Sequence, residues 1–195
     1  MRRLVVTNIM SLDGYYEGPG NNVMVLPMDG TFDAYNVARL READTLLLGA
    51  RSYELFRGFW PAMADNPDAT ADHRELAQLE NRIEKVVVSD SITEAQTDPW
   101  RDTTTIVPRE HGRETVAELK RGSGRDILVF ASRTLWADLL AAGLVDELHL
   151  IVGSVVLAGG TPVFDSQPAA RLRTLGVETF DGSDNVVVRY ATGQG

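Results

Sequence analysis

Leu46-Leu47-Leu48-Gly49-Ala50-Arg51-Ser52-Tyr53-Glu54 is an apolar run that stops at a glycine and passes at once into a helix-competent segment. A strand that ends this way delivers the free N–H groups of a new helix to one spot. Those donors, the helix dipole and Arg51 together suit a phosphate. The pattern recurs at Ile127-Leu128-Val129-Phe130-Ala131-Ser132-Arg133-Thr134, again strand, small residue, hydroxyl, arginine, hydroxyl. Taken singly, each turn also reads as an ordinary strand-to-helix connection capped by serine. Taken as a pair, they read equally as a site for a ligand with several phosphates, such as a dinucleotide.

Working outward, residues 3–10 read as a buried first strand. A long loop over residues 11–30 follows, rich in Gly, Pro, Asn and Asp. Loops of this length in compact domains are often functional. Further strands are expected at Thr45–Leu48, Lys85–Ser89, Thr103–Val107, Asp126–Phe130 and Asp146–Val152. Helices are expected at about Phe32–Glu42, after Gly49 as far as Phe59-Trp60-Pro61, and at Ala71–Glu84 with Thr70 as N-cap. Two more are expected at Glu114–Arg121, closed by a left-handed Gly122, and at Arg133–Ala142, closed by Gly143. Leu172–Phe180 and Asn185–Tyr190 flank Asp181-Gly182-Ser183-Asp184, a hairpin signal. Repeated β-α units and a terminal hairpin imply a largely parallel sheet covered on both faces, with an antiparallel edge. Such sheets bind ligands across the carboxyl ends of their strands. Gly49, Ser89, Pro108 and Ala131-Ser132 fall at those ends.

The 195 residues suit a single domain over 1–195. A net charge of −9 and the lack of any basic run argue against nucleic acid and anionic membrane surfaces as partners. The absence of cysteine excludes disulfides and thiolate catalysis. Met1-Arg2-Arg3 opens like a secretion signal, but Thr7 and Asn8 interrupt the apolar stretch, so a first strand is the better reading. A cytoplasmic soluble protein is expected. His73, His111 and His149 share no metal-ligand spacing, and no metal site is expected. Asp13 and Asp29 are the carboxylates in or beside the long loop. Asp13 reads either as a catalytic group or as an Asp-Gly turn residue. Asp29 reads as a helix-start residue. Trp60 reads as a pocket wall or as packing.

The chain resembles dihydrofolate reductase. It is more similar still to the reductase half of the bifunctional deaminase–reductase of riboflavin biosynthesis and that half's stand-alone relatives. The matching pieces are Ser11-Leu12-Asp13-Gly14, Ala43–Gly49 into Arg51-Ser52-Tyr53-Glu54, Phe59-Trp60-Pro61, Lys85–Ser89 and the strand running into Ser132. Gly143–Leu148 and Leu157–Phe164 complete the set, in order along the chain. The resemblance implies a dihydrofolate reductase-like α/β/α fold and an NADPH-dependent reductase of a small heterocyclic or ribosylamino-pyrimidine-type substrate. A nucleotide-binding protein with little or no catalysis is the alternative on the same fold.

By that resemblance Gly49, Arg51 and Ser52 hold the adenosine-side phosphates, and Ser89 lies near the adenosine ribose or its 2′-phosphate. Ser132, Arg133, Thr134 and Leu135 carry the pyrophosphate, and Asp13 is the catalytic residue near the substrate under the first loop. Three positions depart from the family pattern. Gly49-Ala50-Arg51-Ser52 stands where Gly-Arg-x-Thr is usual, Ala131 where glycine precedes the serine, and Ser154 where proline is frequent. The first two bear on cofactor affinity and on NADPH over NADH. A homodimer is expected, because the hairpin at 172–190 presents Val186-Val187-Val188 near a sheet edge.

Overall fold

Leu46, Leu47 and Leu48 are all fully buried, because their strand has a parallel neighbour on each side and an apolar layer on each face. Leu47 packs into one layer with Leu4, Val6, Val86, Val88, Ile127 and Val129. Leu46 and Leu48 pack into the other with Val5, Val87, Leu128 and Phe130. Period-2 alternation thus survives inside runs that read as uniformly apolar.

The computed structural model describes residues 1–165 and 171–193. Its strands are β1 (Leu4–Ser11), β2 (Tyr15–Glu17), β3 (Ala43–Gly49), β4 (Glu84–Val88), β5 (Thr104–Val107), β6 (Asp126–Phe130), β7 (Glu147–Gly153), β8 (Thr161–Pro162), β9 (Arg173–Thr179) and β10 (Val186–Ala191). Its α-helices are α1 (Gly30–Glu42), α2 (Ala50–Met63), α3 (Ala71–Arg82), α4 (Gly112–Arg121) and α5 (Arg133–Ala141). The main sheet has the order β5-β4-β3-β6-β1-β7-β10-β9. The six strands β5 to β7 run parallel, and β10 and β9 run antiparallel at the end. Helices α1, α2 and α3 supply Val37, Leu40, Tyr53 and Leu76 to one face. Helices α4 and α5 supply Val116, Trp136 and Leu139 to the other. The expected three-layer architecture with a C-terminal antiparallel hairpin is the one observed.

This topology creates a crevice at one place. β3 and β6 are neighbours, yet α2 leaves β3 toward one face and α5 leaves β6 toward the other. Connections that part in this way leave a gap outside the carboxyl ends of the strands.

Several local expectations need correction. The stretch 11–30 is not a bare loop: β2 pairs antiparallel with β8, and 3-10 turns span Pro19–Asn21 and Val23–Val25. Helix α2 continues past Pro61 to Met63. A proline so near the end removes one N–H donor from the last turn only, which a helix tolerates there. Gly122 is extended (φ −69, ψ 178) rather than left-handed, although its N–H still closes α4 onto the carbonyls of Glu118 and Leu119. Val186–Val188 lie on an interior strand, because β10 sits between β7 and β9, and the free edge is β9. Thr70 caps α3 through the His73 N–H, and Asp29 caps α1 by accepting from the Thr31 and Phe32 N–H groups.

Candidate functional site

The two strand-to-helix turns meet across the crevice and are tied to each other. The Gly49 N–H donates to Ser132 Oγ at 3.1 Å, and the Ser132 N–H donates to Ser52 Oγ at 2.9 Å. Neither turn is a serine-capped connection. The N-cap of α2 is Gly49, with no side chain to offer, and Ser132 stands at the N-cap of α5 without making a side-chain capping bond. Both hydroxyls join one turn to the other instead, over a sequence separation of 80 and more residues.

The second turn is strained. Ala131 (φ 48) and Ser132 (φ 51) are both left-handed, a conformation that costs an L-residue ~1–2 kcal/mol. A glycine before Ser132 would adopt it freely. Such outliers persist where the surroundings impose them and cluster at functional sites. Leu135 lies against Gly49: a Cβ on that glycine would stand 3.9 Å from the Leu135 Cβ. Thr134 is exposed on the first turn of α5.

Both arginines of the two turns are engaged by the chain. Arg51 Nη2 lies 3.1 Å from Glu17 Oε2, and its Nη1 lies 3.4 Å from Glu17 Oε1. Its Nη2 also donates to the Asn21 carbonyl at 3.2 Å. Arg133 donates to the Val163 carbonyl at 3.3 Å and pairs with Asp165. Tyr16, beside Glu17, has its phenol pushed up to about 12 by burial and by the Glu17 charge, with Arg51, Arg133 and Ser52 pulling the other way. The Tyr16 ring therefore lies within the electrostatic reach of both turns. No sequence signal ties Tyr16 or Glu17 to them, because only the folding back of β2 brings them there.

The remaining expected residues are more dispersed. Ser89 Oγ accepts from the Ser91 and Ile92 N–H groups at 3.0 and 3.1 Å, so it closes the turn after β4. Asp13 is exposed, and its two oxygens accept from the Leu157 and Ala158 N–H groups at 3.1 and 2.8 Å. Its carboxyl is held below the ordinary range, by a hydrogen bond from Ser11 and then by those two amides. Asp13 is thus a clip between two loops of the rim, and its own backbone N–H adds to the hydrogen bonds that hold the carboxylate, as the Asp-Gly turn reading has it.

A second polar group lies on the same rim. Helix α1 leads directly into the start of β3, so its first turn lies on the side of the sheet where the parallel strands end. There Asp33 meets His73 Nε2 at 2.9 Å. Burial pushes the Asp33 carboxyl up, against the opposing pull of His73. Trp60 and Phe59 stack edge-on beside the imidazole, with ring centroids 5.8 and 6.4 Å from it. Nothing in the sequence pairs His73 with Asp33. The 40 residues separating it from Asp33 hid the pair. Leu12, Met24, Val156 and Phe59 leave apolar surface exposed. Buried His149 holds the Tyr35 hydroxyl at 2.9 Å and Glu147 at 3.0 Å, a structural role. Among the described residues no group of three or more His, Asp or Glu side chains could hold a metal. No helix among them is long and apolar enough to cross a membrane.

The fold has counterparts among known proteins. The chain is 29% identical to the Bacillus subtilis (strain 168) protein YyaP, itself uncharacterized, over 98% of this chain and 96% of that one. A Shewanella sp. PV-4 protein described as a candidate for riboflavin biosynthesis superposes with a TM-score of 0.72 at 19% identity, covering 98% of this chain and 99% of the other. A pyrimidine reductase-like protein of Corynebacterium diphtheriae superposes with a TM-score of 0.61 at 15% identity, over 100% and 93% of the two chains. The Thermotoga maritima diaminohydroxyphosphoribosylaminopyrimidine deaminase/5-amino-6-(5-phosphoribosylamino)uracil reductase gives 0.66 at 12% identity, over 98% of this chain and 57% of that enzyme. This chain therefore spans a little over half of the bifunctional protein. The model of the RibD C-terminal domain matches residues 2–187, and the chain belongs to that family.

Proposed function

We propose that this protein is an NADPH-dependent reductase of a small pyrimidine-type or other heterocyclic substrate. The observation that carries the reading is the pair of stitched turns at the point where α2 and α5 part, each bearing an arginine. The donors there fit a dinucleotide: Arg51 and Ser52 on one side, Arg133, Thr134 and the start of α5 on the other, with left-handed backbone between them. Gly49, Leu135 and Ser89 complete the lining. When bound, the reduced nicotinamide supplies the hydride.

The chain's own residues supply position and a proton. Burial raises the Asp33 carboxyl, whereas hydrogen bonds lower that of Asp13. Asp33, paired with His73 Nε2 at 2.9 Å, is then the group placed to relay a proton, Trp60 and Phe59 form an apolar wall beside the imidazole, and Asp13 holds the rim loops together.

Fluorescence or calorimetric titration with NADPH and NADH tests the reading. Arg51→Ala is expected to weaken NADPH more than NADH, because it removes a charge-assisted bond to the additional phosphate. Equal loss for both cofactors would take that role from Arg51. The second reading, a nucleotide-binding protein with little or no turnover, is favoured by the departures from the family pattern at Ala50 and Ala131. Cofactor binding without oxidation by any heterocycle tested would select it.

A further inference from the structure

Glu17 is the one acidic side chain that the flap β2–β8 carries into the crevice. It is 3% exposed, whereas the Arg51 side chain it engages is 64% exposed. Two guanidinium nitrogens face its two oxygens at 3.1 and 3.4 Å, and Thr161 Oγ1, from the other strand of the flap, donates to Oε1 at 2.9 Å. That is the donor set a ligand phosphate would use: a guanidinium fork and a hydroxyl. The flap fits closely. Gly160 has φ +129, and a Cβ there would stand 2.1 Å from the Glu17 carbonyl oxygen. Tyr16, preceding Glu17, packs against the core, and its phenol feels Arg51, Arg133 and Ser52.

The flap is also weakly built. β2 and β8 are three and two residues long, with a register shift between Tyr15 and Glu17. A two-stranded ribbon is marginal in water by itself, so this one depends on Tyr16 and Val163 packing against the core and on the polar contacts of Glu17. Its inner end is fastened by the Thr161 hydroxyl and by an ion pair whose cation is largely solvated, and such pairs are weak.

We propose that the β2–β8 flap is a self-inhibiting lid in which the Glu17 carboxylate stands in for a ligand phosphate on Arg51. A ligand with a phosphate or pyrophosphate must displace Glu17, so the lid opens only to anions that bring more charge to Arg51 than one carboxylate does. The inference rests on the reading of Arg51 as a phosphate ligand given above. It goes beyond that reading in assigning Glu17 as the competitor.

The test uses Glu17→Gln and Thr161→Val. The first removes the competing charge, and the second keeps that charge but removes the hydroxyl that holds it. Inorganic pyrophosphate, titrated by calorimetry, is the probe for the lid. NADPH is the probe for the cofactor reading. Pyrophosphate is expected to bind Glu17→Gln about fivefold more tightly than wild type, the equivalent of one exposed ion pair, with a smaller gain in Thr161→Val. Amides of residues 15–17 are expected to exchange faster in both variants without ligand. Unchanged or weaker pyrophosphate binding in both variants would overturn the lid, even where NADPH binds all forms. Tighter pyrophosphate binding with no NADPH binding in any form would keep the lid and sink the cofactor reading.

Discussion

Replacing Ala131 by glycine should stabilise the protein, against the ordinary expectation for glycine. Ala131 has φ 48, so the wild-type backbone carries ~1–2 kcal/mol of steric cost that glycine lacks. Glycine also frees the unfolded chain, which offsets ~0.4–1 kcal/mol of that relief. The net gain is about 0.5–1 kcal/mol, or a Tm rise of roughly 1–4 °C for a chain of this length. Ser132→Gly is the control, since Ser132 has nearly the same φ, 51. There the same relief is set against the Gly49 N–H, which loses its acceptor at 3.1 Å. An orphaned donor of that kind costs ~1–3 kcal/mol, so Ser132→Gly is expected to lose about 1 kcal/mol net. Equilibrium urea unfolding of the three proteins reads both changes. A destabilised Ala131→Gly would refute the claim that this turn holds steric strain, and equal gains in the two variants would refute the claim that the Gly49 N–H depends on Ser132. On the proposed function, Ala131→Gly should also bind NADPH more tightly, because loss of the methyl lets the backbone approach a pyrophosphate.

Other outcomes follow from single sites. Asp13→Asn is expected to slow turnover of any substrate that oxidises NADPH while leaving NADPH affinity unchanged, and to lower Tm less than Asp13→Ala; a wild-type rate would remove Asp13 from the site. Glu80 is buried, and desolvation pushes its carboxyl up to about 8 against the pull of Lys85. Its proton is therefore bound in the folded chain and not in the unfolded one at mid-range pH, so its contribution to stability is lost as pH rises from about 5 through 8. Glu80→Gln should flatten that fall in unfolding experiments at pH 5, 6.5 and 8. An unchanged slope would show that Glu80 does not titrate in this range, while Lys85, lowered to about 8 by burial, acts in the opposite sense only above pH 8. β9 pairs on one side only and exposes Val177, so a homodimer joined along it is expected. Light scattering at micromolar protein should give twice the 21.4 kDa chain mass, and a monomeric mass would end the idea.

What the sequence determined was the layering and the strand ends. Runs such as Leu46–Leu48 and Val86–Val88 are apolar at every position because both sheet faces are covered, and β-α alternation then forces parallel pairing. Caps acting over two or three residues, at Asp29 and Thr70, were equally legible, since the partners are neighbours in the chain. Gly122 and Pro61 misled because propensity is a weak local preference that neighbouring structure overrides.

Only the tertiary structure decided how the candidate site is wired. Ser132 bonds Gly49 and Ser52 across 83 and 80 positions, Asp13 holds amides 144 and 145 positions away, and Glu17 reaches Arg51 across 34. No spacing rule encodes such pairs. They arise because parallel strands gather the turns of distant βα units at one edge of the sheet. The protonation of Asp33 and the availability of Arg51 and Arg133 then depend on which side chain from another turn or loop meets them there.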